Sequence, residues 1–406
     1  MIESQEIGRR VAYWRKRRGM SRGRFAALTG RSGSWVEKIE TGERELLRLP
    51  MLERVADALQ IRLAVLIDDT EAQEARRLPD ATEITAIKIA LGRYETVIGR
   101  ECPPGVPDLD RLSRQVDYVH EAFLASDVAI VGRMLPALIE DGQHAVAMST
   151  GEDVRRAAAL LVMIYKTSSS TFHKFGAHEL AWLAADRAIS AASIADDPTS
   201  LARGTRCVAR ALMSVGQHRQ ALVLLTGAGA RLEPELDGAD PALICLIGMM
   251  WLAAEIAAAR EGDADTALEM HRRAEAIARE LGPGYVDRST AFGPTNVALH
   301  RLAALVRLGD GPAALAYAAT IDETVIDRLP RERKVNYLLD VAGAHRQCGN
   351  GERAADVLWQ ADQTAPQEVR RRPLARKLIV ALWESDVDLQ RSSRLRQLAR
   401  HAGLPV

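Results

Sequence analysis

The sequence predicts an all-α protein: an N-terminal bundle of five short helices followed by an α-solenoid of helical hairpins. Three observations carry that prediction. Aromatic residues make up only 4% of the 406 residues, while Ala, Leu and Arg abound, which favours helix over β-sandwich. Residues 6–67 break into five short amphipathic patterns separated by turn residues. Further on, a Gly and Ala pattern recurs at intervals of 40, 46, 47 and 40 residues, the mark of a repeated supersecondary unit. A chain of this length has a prior of two to three domains.

The elements follow in order. Ile7, Val11 and Trp14 share one face of a first helix, which Gly19 stops. Ser21 caps a second helix carrying Phe25 and Leu28, ended by Gly30. Ser32 caps a third with Val36 and Ile39 inward, closed by Gly42. Leu52, Val55 and Leu59 define a fourth helix, and Leu63 to Ile67 a fifth. Two short helices joined by a tight Gly-containing turn and packed by three others make a helix-turn-helix arrangement.

Charge separates this segment from the rest. The whole chain is neutral, with 54 Lys and Arg against 54 Asp and Glu, yet residues 1–70 hold 14 bases and 10 acids. Residues 7–36 carry nine bases and no acid. A local basic block on a neutral chain reads as a small nucleic-acid-binding module attached to something else, or as a solvated basic helix. Charge alone does not choose between them.

The run "IGRRVAYWRKRRGMSRGRFAALTGRSGSWVEKIETGERE" with "LERVADALQI" after it resembles the Cro/C1-type (XRE) helix-turn-helix domain, over roughly residues 6–68. The resemblance implies that Arg15 pairs with Glu40 in a structural role. It places Arg22 at the head of the second helix, where the family usually has a Gln that anchors to phosphate or base. It gives the base-reading slots of the third helix to Gly33, Ser34 and Lys38, sets Ser32 near a phosphate, and lets Arg48 approach the backbone or minor groove. Gly33 departs from a side-chain reader, so direct readout rests on fewer contacts. Physically, such a helix presents its N-terminal residues to base edges while flanking bases grip phosphates, and Lys38 is the best donor to guanine O6 and N7. Trp35 could be exposed, touch a thymine methyl or pack in a seam, and packing is the preferred reading. Glu37 reads as a solvated or pairing residue.

The domain boundaries expected are 1–68 for this module, 69–110 for a linker and 111–406 for the repeats. The stretch 68–82 is charged and contains Pro79, a helix is expected near 83–99, and 101–110 is a Pro-rich loop. The repeat marker is a Gly, an Ala five residues later and a small residue seven after that: Gly176/Ala181/Ala188, Gly216/Ala221/Ala228, Gly262/Ala267/Ala274 and Gly349/Ala354/Ala361, with Gly309/Ala314 keeping the first two. Gly suits a turn between antiparallel helices and Ala their close crossing. The units resemble tetratricopeptide repeats stretched beyond the usual length; an Ala-rich bundle without superhelical order is the alternative. A weaker unit around Asp127 precedes them, and helices near 372–384 and 389–401 cap the stack. Both halves together resemble actinobacterial-type transcriptional regulators, with "FGPTNVALHRLAALVRLGD" as the most characteristic segment, similar in plan to receptors for quorum-sensing peptides.

Chemistry of other kinds finds no support in the motifs. No phosphate-binding loop, zinc-protease motif or nucleophile elbow is present, and the four Cys lie far apart without metal-site spacing. The expectation is therefore a non-enzyme with no cofactor or metal. The N-terminus is not a signal peptide, and the longest apolar stretch, Ala242 to Ala254, is too short to span a bilayer. A cytoplasmic location without membrane contact follows.

A solenoid usually works through its concave face, lined by the first helix of each hairpin. Counting back from the turn glycines puts Lys166, Arg203, Arg206 and Arg210 there in the early repeats, and Asn296 and Asn336 at one equivalent register in the later ones. The cations suit a carboxylate or phosphate; the amides could pair with a peptide backbone, and His300 lies one turn beyond Asn296. Each could equally be a helix-surface residue facing water. The resulting expectation is a homodimeric regulator that binds double-stranded DNA at an inverted-repeat operator and an effector peptide or small molecule in the groove. The alternative is a solenoid that docks a protein partner.

Overall fold

In a computed structural model of the chain, the residues described are 4–18, 20–46, 48–59, 61, 63–68, 81–92, 108–125, 127–327, 329, 331–366, 369, 372–385 and 392–402. Gly19, Pro79 with the 69–80 stretch, Cys102 with most of the Pro-rich loop, and the start of the expected final helix lie outside them. Every regular element among the described residues is helical. The chain divides into two compact units, 1–86 with 127–133, and 87–126 with 134–406.

The first unit contains α1 (Ser4–Arg17), α2 (Arg22–Thr29), α3 (Gly33–Thr41), α4 (Leu49–Leu59) and α5 (Leu63–Ile67). Local chemistry sets their ends. Ser21 Oγ accepts from the Arg24 N–H at 3.2 Å and Ser32 Oγ from the Trp35 N–H at 3.1 Å, each satisfying a donor that a helix start leaves orphaned. Gly30 and Gly42 close α2 and α3 in the left-handed region. Ile7, Val11, Trp14, Phe25, Val36, Ile39, Leu52, Val55 and Leu59 form one core. Trp35 is buried with them, as the packing reading required. Leu28 is the exception: α2 turns Phe25, Ala26 and Thr29 inward and leaves Leu28 53% exposed, so the inward face of α2 is not the Phe25–Leu28 face. α1 crosses α3 at Gly8, where a Cβ would stand 2.0 Å from the Ile39 carbonyl oxygen.

The chain continues through α6 (Ala81–Leu91), α7 (Leu109–Leu124) and α8 (Val128–Met148) into the hairpins. These are α9 (Glu152–Lys174) with α10 (His178–Ala195), α11 (Pro198–Ser214) with α12 (His218–Leu232), and α13 (Pro241–Arg260) with α14 (Ala264–Leu281). After the connector 282–293 come α15 (Pro294–Arg307) with α16 (Gly311–Ala318), a short α17 (Glu323–Asp327), and α18 (Arg331–Gln347) with α19 (Gly351–Thr364). α20 (Pro373–Ser385) and α21 (Ser393–His401) follow and share a core with the last hairpin.

The repeat marker has a structural meaning at every copy. Gly176, Gly216, Gly262, Gly309 and Gly349 sit in the inter-helix turns with φ between 69° and 85°, a backbone that a side chain strains. The Ala five residues later is fully buried in all five hairpins, because a methyl lets the second helix lie close on the first. The third marker holds less strictly: Ala188, Ala274 and Ala361 are fully buried, whereas Ala228 and Ile321 are half-buried.

The apolar stretch lies in α13, which at 20 residues is the one helix among those described long and apolar enough to cross a membrane; 78% of that apolar window is buried inside the protein. Glu255, which ends the apolar run, is fully buried 3.3 Å from His271 Nδ1. Burial pushes its carboxyl above the ordinary range despite that partner.

Candidate functional site

Two surfaces assemble the residues singled out by the sequence, one in each unit. On the first unit, α3 begins with an exposed polar turn: Ser32, Gly33, Ser34 and Lys38 are all exposed, and Arg24, Arg31, Arg44 and Arg48 are exposed around them. The Arg31 guanidinium lies 5.7 Å from the Trp35 ring centroid. No atom would meet a Cβ at Gly33 within 4 Å, so that position is open on the side a ligand would use.

The basic block is divided between two jobs. Arg10 is 2% exposed and its Nη1 donates to the Leu66 carbonyl at 2.8 Å; Arg18 Nε donates to the Leu59 carbonyl at 2.8 Å. Arg15 donates to both Glu40 oxygens and, through Nη1, to the Met20 carbonyl at 2.6 Å. These three cations tie α1 to other parts of the bundle. Arg22 is also engaged: Nε donates to Glu40 at 2.9 Å and Nη1 to Glu37 at 2.7 Å. Burial works against ionisation of Glu40, but the two guanidiniums outweigh it and hold the carboxyl below the usual Glu range.

On the second unit, α11 carries Arg203, Arg206 and Arg210 at spacings of three and four, which place them on one helical face. Lys166 and Ser170 of α9 lie beside them. Arg210 Nη1 donates to Ser170 Oγ at 3.4 Å, and Lys166 Nζ is 3.3 Å from His120 Nδ1 on α7. The other nitrogen of that ring, Nε2, is 3.3 Å from Ser289 Oγ, in the connector 169 residues away. Arg333 of α18 donates to the Thr290 carbonyl at 3.3 Å. α7, α9, α11, α18 and the connector therefore face a common interior.

That interior is electrostatically unbalanced. Burial pulls Lys166 down to about 7; the Cys207 thiol pulls it upward, and Arg206, Arg203 and Arg210 add to the lowering. Burial likewise lowers Arg206 to about 10, with Arg210, Arg333 and Arg203 adding to the effect. His120 falls to about 3 through burial, Lys166 and Arg203, and stays neutral. No carboxylate is among the groups that chiefly act on Arg206, where the Cys207 thiol is what opposes the lowering, and its Nε is a buried donor without a partner. Arg203 feels Asp197, Asp287, Asp240 and Asp117, none of them in ion-pair contact.

The later repeats contribute differently. Asn296 is 3% exposed; its amide donates to Met249 Sδ at 3.2 Å and its Oδ1 is buried without a partner. His300 Nδ1 lies 2.8 Å from the Asn296 carbonyl, and burial with Arg333 lowers the ring to about 3. Asn336 donates to Glu332 Oε1 at 3.1 Å and accepts from Arg372, so both ends of its amide are used within the protein. Arg372 also reaches Glu332 at 2.8 Å. At Glu332, burial is outweighed by Arg333, Arg372 and Lys174, and the carboxyl stays ionised far below its ordinary range.

Sequence reasoning missed His120, Ser289, Glu332, Arg333 and Arg372. Arg333 was within reach, one helical turn before Asn336 in the register already counted. His120 and Ser289 carry no such signal, since they belong to a non-repeating helix and a connector.

Residues 6–66, within the first unit, match the family described as helix-turn-helix domain. No curated protein matches the sequence. Two solved structures resemble the chain. PlcR of Bacillus thuringiensis, solved in complex with the peptide PapR7 and DNA, is 15% identical, covers 68% of this chain and 95% of its own, and has a TM-score of 0.32. The apo form of the competence regulator ComR from Streptococcus vestibularis is 15% identical, covers 74% of this chain and 98% of its own, and has a TM-score of 0.26.

Proposed function

We propose that the chain is a cytoplasmic, non-catalytic, sequence-specific transcription regulator whose helical-repeat unit binds a small effector that modulates operator binding. The observation that carries the DNA half is the exposed polar opening of α3 within a matched helix-turn-helix domain. In this reading α3 enters the major groove, Lys38 donates to guanine, Ser34 contacts a neighbouring base, and Ser32, Arg24 and Arg48 hold phosphates. Arg22, with Nε and Nη1 engaged by the two Glu, offers Nη2 to a phosphate. A homodimer would read an inverted repeat with half-sites roughly 34 Å apart.

The effector half rests on the cation cluster of Lys166, Arg203, Arg206 and Arg210, which lies away from the DNA-binding domain in sequence and is offset at Arg206 chiefly by the Cys207 thiol rather than a carboxylate. An effector acts by binding one shape of the repeat unit more tightly than another. Asn296 and His300 flank the same interior in this reading, and Asn336 supports it through Glu332 and Arg372. Binding-site selection on random DNA tests the DNA half. An enriched inverted repeat is expected, and Lys38→Ala should cost about 1–3 kcal/mol, concentrated at one base position. Absence of any enriched motif overturns the reading.

A further inference from the structure

The interior of the repeat unit gathers several cations around one buried donor that has no acceptor. Arg206 has a buried Nε with no partner, and the group that chiefly offsets its charge is a thiol, Cys207, rather than a carboxylate. Arg203 and Arg210 flank it on α11, Lys166 approaches from α9, and Arg333 from α18. Glu332, the acid close to Arg333, is shared with Arg372. We infer that this interior is a binding site for a phosphoryl group carrying at least two negative charges, a phosphate monoester or diphosphate borne by the effector.

The geometry favours phosphoryl over a single carboxylate for two reasons. A carboxylate has one charge and two oxygens whose acceptor directions lie in one plane, so it satisfies one guanidinium fork well. The cations here stand on three separate helices, and a tetrahedral group with three terminal oxygens can accept from several such directions at once. Charge agrees with shape. Like charges held together at partial burial cost free energy in the empty protein, and a dianion removes more of that cost than a monoanion. His120, held by Lys166 and Ser289, sits at the edge of the cluster and fixes the Lys166 ammonium there.

The inference rests on the effector reading above, and it is tested separately from DNA binding. Isothermal titration of the full chain with inorganic diphosphate, phosphate, acetate and citrate gives the chemistry, with thermal melting alongside. One diphosphate per chain is expected, with acetate silent at the same concentration and citrate weaker than diphosphate. Arg206→Gln should weaken diphosphate binding about tenfold or more while raising the melting temperature of the ligand-free protein, because it removes an uncompensated charge. Arg231→Gln, an exposed charge on α12, should change neither. The DNA-binding surface is itself basic, so Lys38→Ala serves as a second control and should leave diphosphate affinity intact. Equal binding of acetate or citrate, or undiminished diphosphate binding by Arg206→Gln, overturns the phosphoryl assignment. Operator selection that still succeeds in that event leaves the regulator reading standing.

Discussion

Glu40 shows how one side chain can hold a small domain together. Its carboxylate is 3% exposed and accepts from Arg15, itself 9% exposed, and from Arg22. Removing one partner of a buried pair leaves the other charge desolvated, so Glu40→Gln should destabilise the first unit by roughly 3–5 kcal/mol. The pH dependence has a fixed sign. A carboxyl lowered on folding adds stability above its unfolded value and loses it as pH falls through the folded one. Urea unfolding from neutral to acid pH should therefore show a loss in wild type that is smaller in Glu40→Gln; equal slopes would mean that other carboxylates dominate.

Lys166 carries the same sign for a different reason, since here the fold disfavours the charged form. Its folded value, pulled down to about 7, lies below that of the unfolded chain, so the unfolded state binds more protons in the window above pH 7. Ligand-free stability should rise with pH across that window. The groups facing Lys166 are His120 from α7, Cys207, Arg203, Arg206 and Arg210 from α11, and the Phe123 ring at 5.7 Å. None is a carboxylate, and the upward pull of the Cys207 thiol is outweighed by burial and the three guanidiniums. A bound anion raises the ammonium value again, and binding at pH 8 should take up protons. Titration in two buffers of different ionisation enthalpy reads this directly, and Lys166→Met should abolish it.

At the scale of elements, two glycines of the DNA-binding domain make opposite predictions. Gly8 lies where α1 crosses α3, and a Cβ there would stand 2.0 Å from a backbone oxygen. Gly8→Ala should cost about 1–3 kcal/mol, since backbone cannot yield as a flexible side chain does. Gly33 meets nothing, and Gly33→Ala should fall within about 1 kcal/mol of wild type, on the stabilising side. If Gly33→Ala nevertheless loses operator affinity, the methyl has met DNA, which locates the approach of α3. Thermal melts and operator titrations on both variants distinguish these outcomes; a destabilised Gly33→Ala would contradict the open space at that position.

For the whole molecule, the sequence places a charged stretch with Pro79 at 69–80, between the core of the helix-turn-helix domain and that of the helical hairpins. Limited proteolysis should cut between Asp68 and Thr82 and leave a protected fragment beginning near residue 83. Calorimetry should then show two transitions in the intact chain, each preserved in its fragment. A single cooperative transition with no protected fragment would show that the units fold as one.

Much of this protein was legible because its determinants are local. Ser21, Ser32, Gly30 and Gly42 act within one helical turn, and the turn glycines from Gly176 to Gly349 demand a backbone that only their own residue type adopts freely. Such requirements are written at the position that needs them, and so are the exposed residues of α3. Leu28 marks the first limit: periodicity offered it as an inward residue, but which side of α2 is buried depends on where α1, α3 and α4 stand. Arg22 marks the second, since its capture by Glu37 and Glu40 required α3 to be placed against α2. The interior of the repeat unit is the clearest case. Sequence counting gave four of its cations, at positions counted back from the turn glycines; only the packed structure brought in His120 and Ser289, from a helix and a connector, and set Arg333 of a distant repeat with them. The sequence by itself determined the helices, their ends and their repetition, all of which depend on residues a turn apart. The tertiary structure decided which charges meet without a counter-charge, because that depends on contacts between residues as far apart as His120 and Ser289.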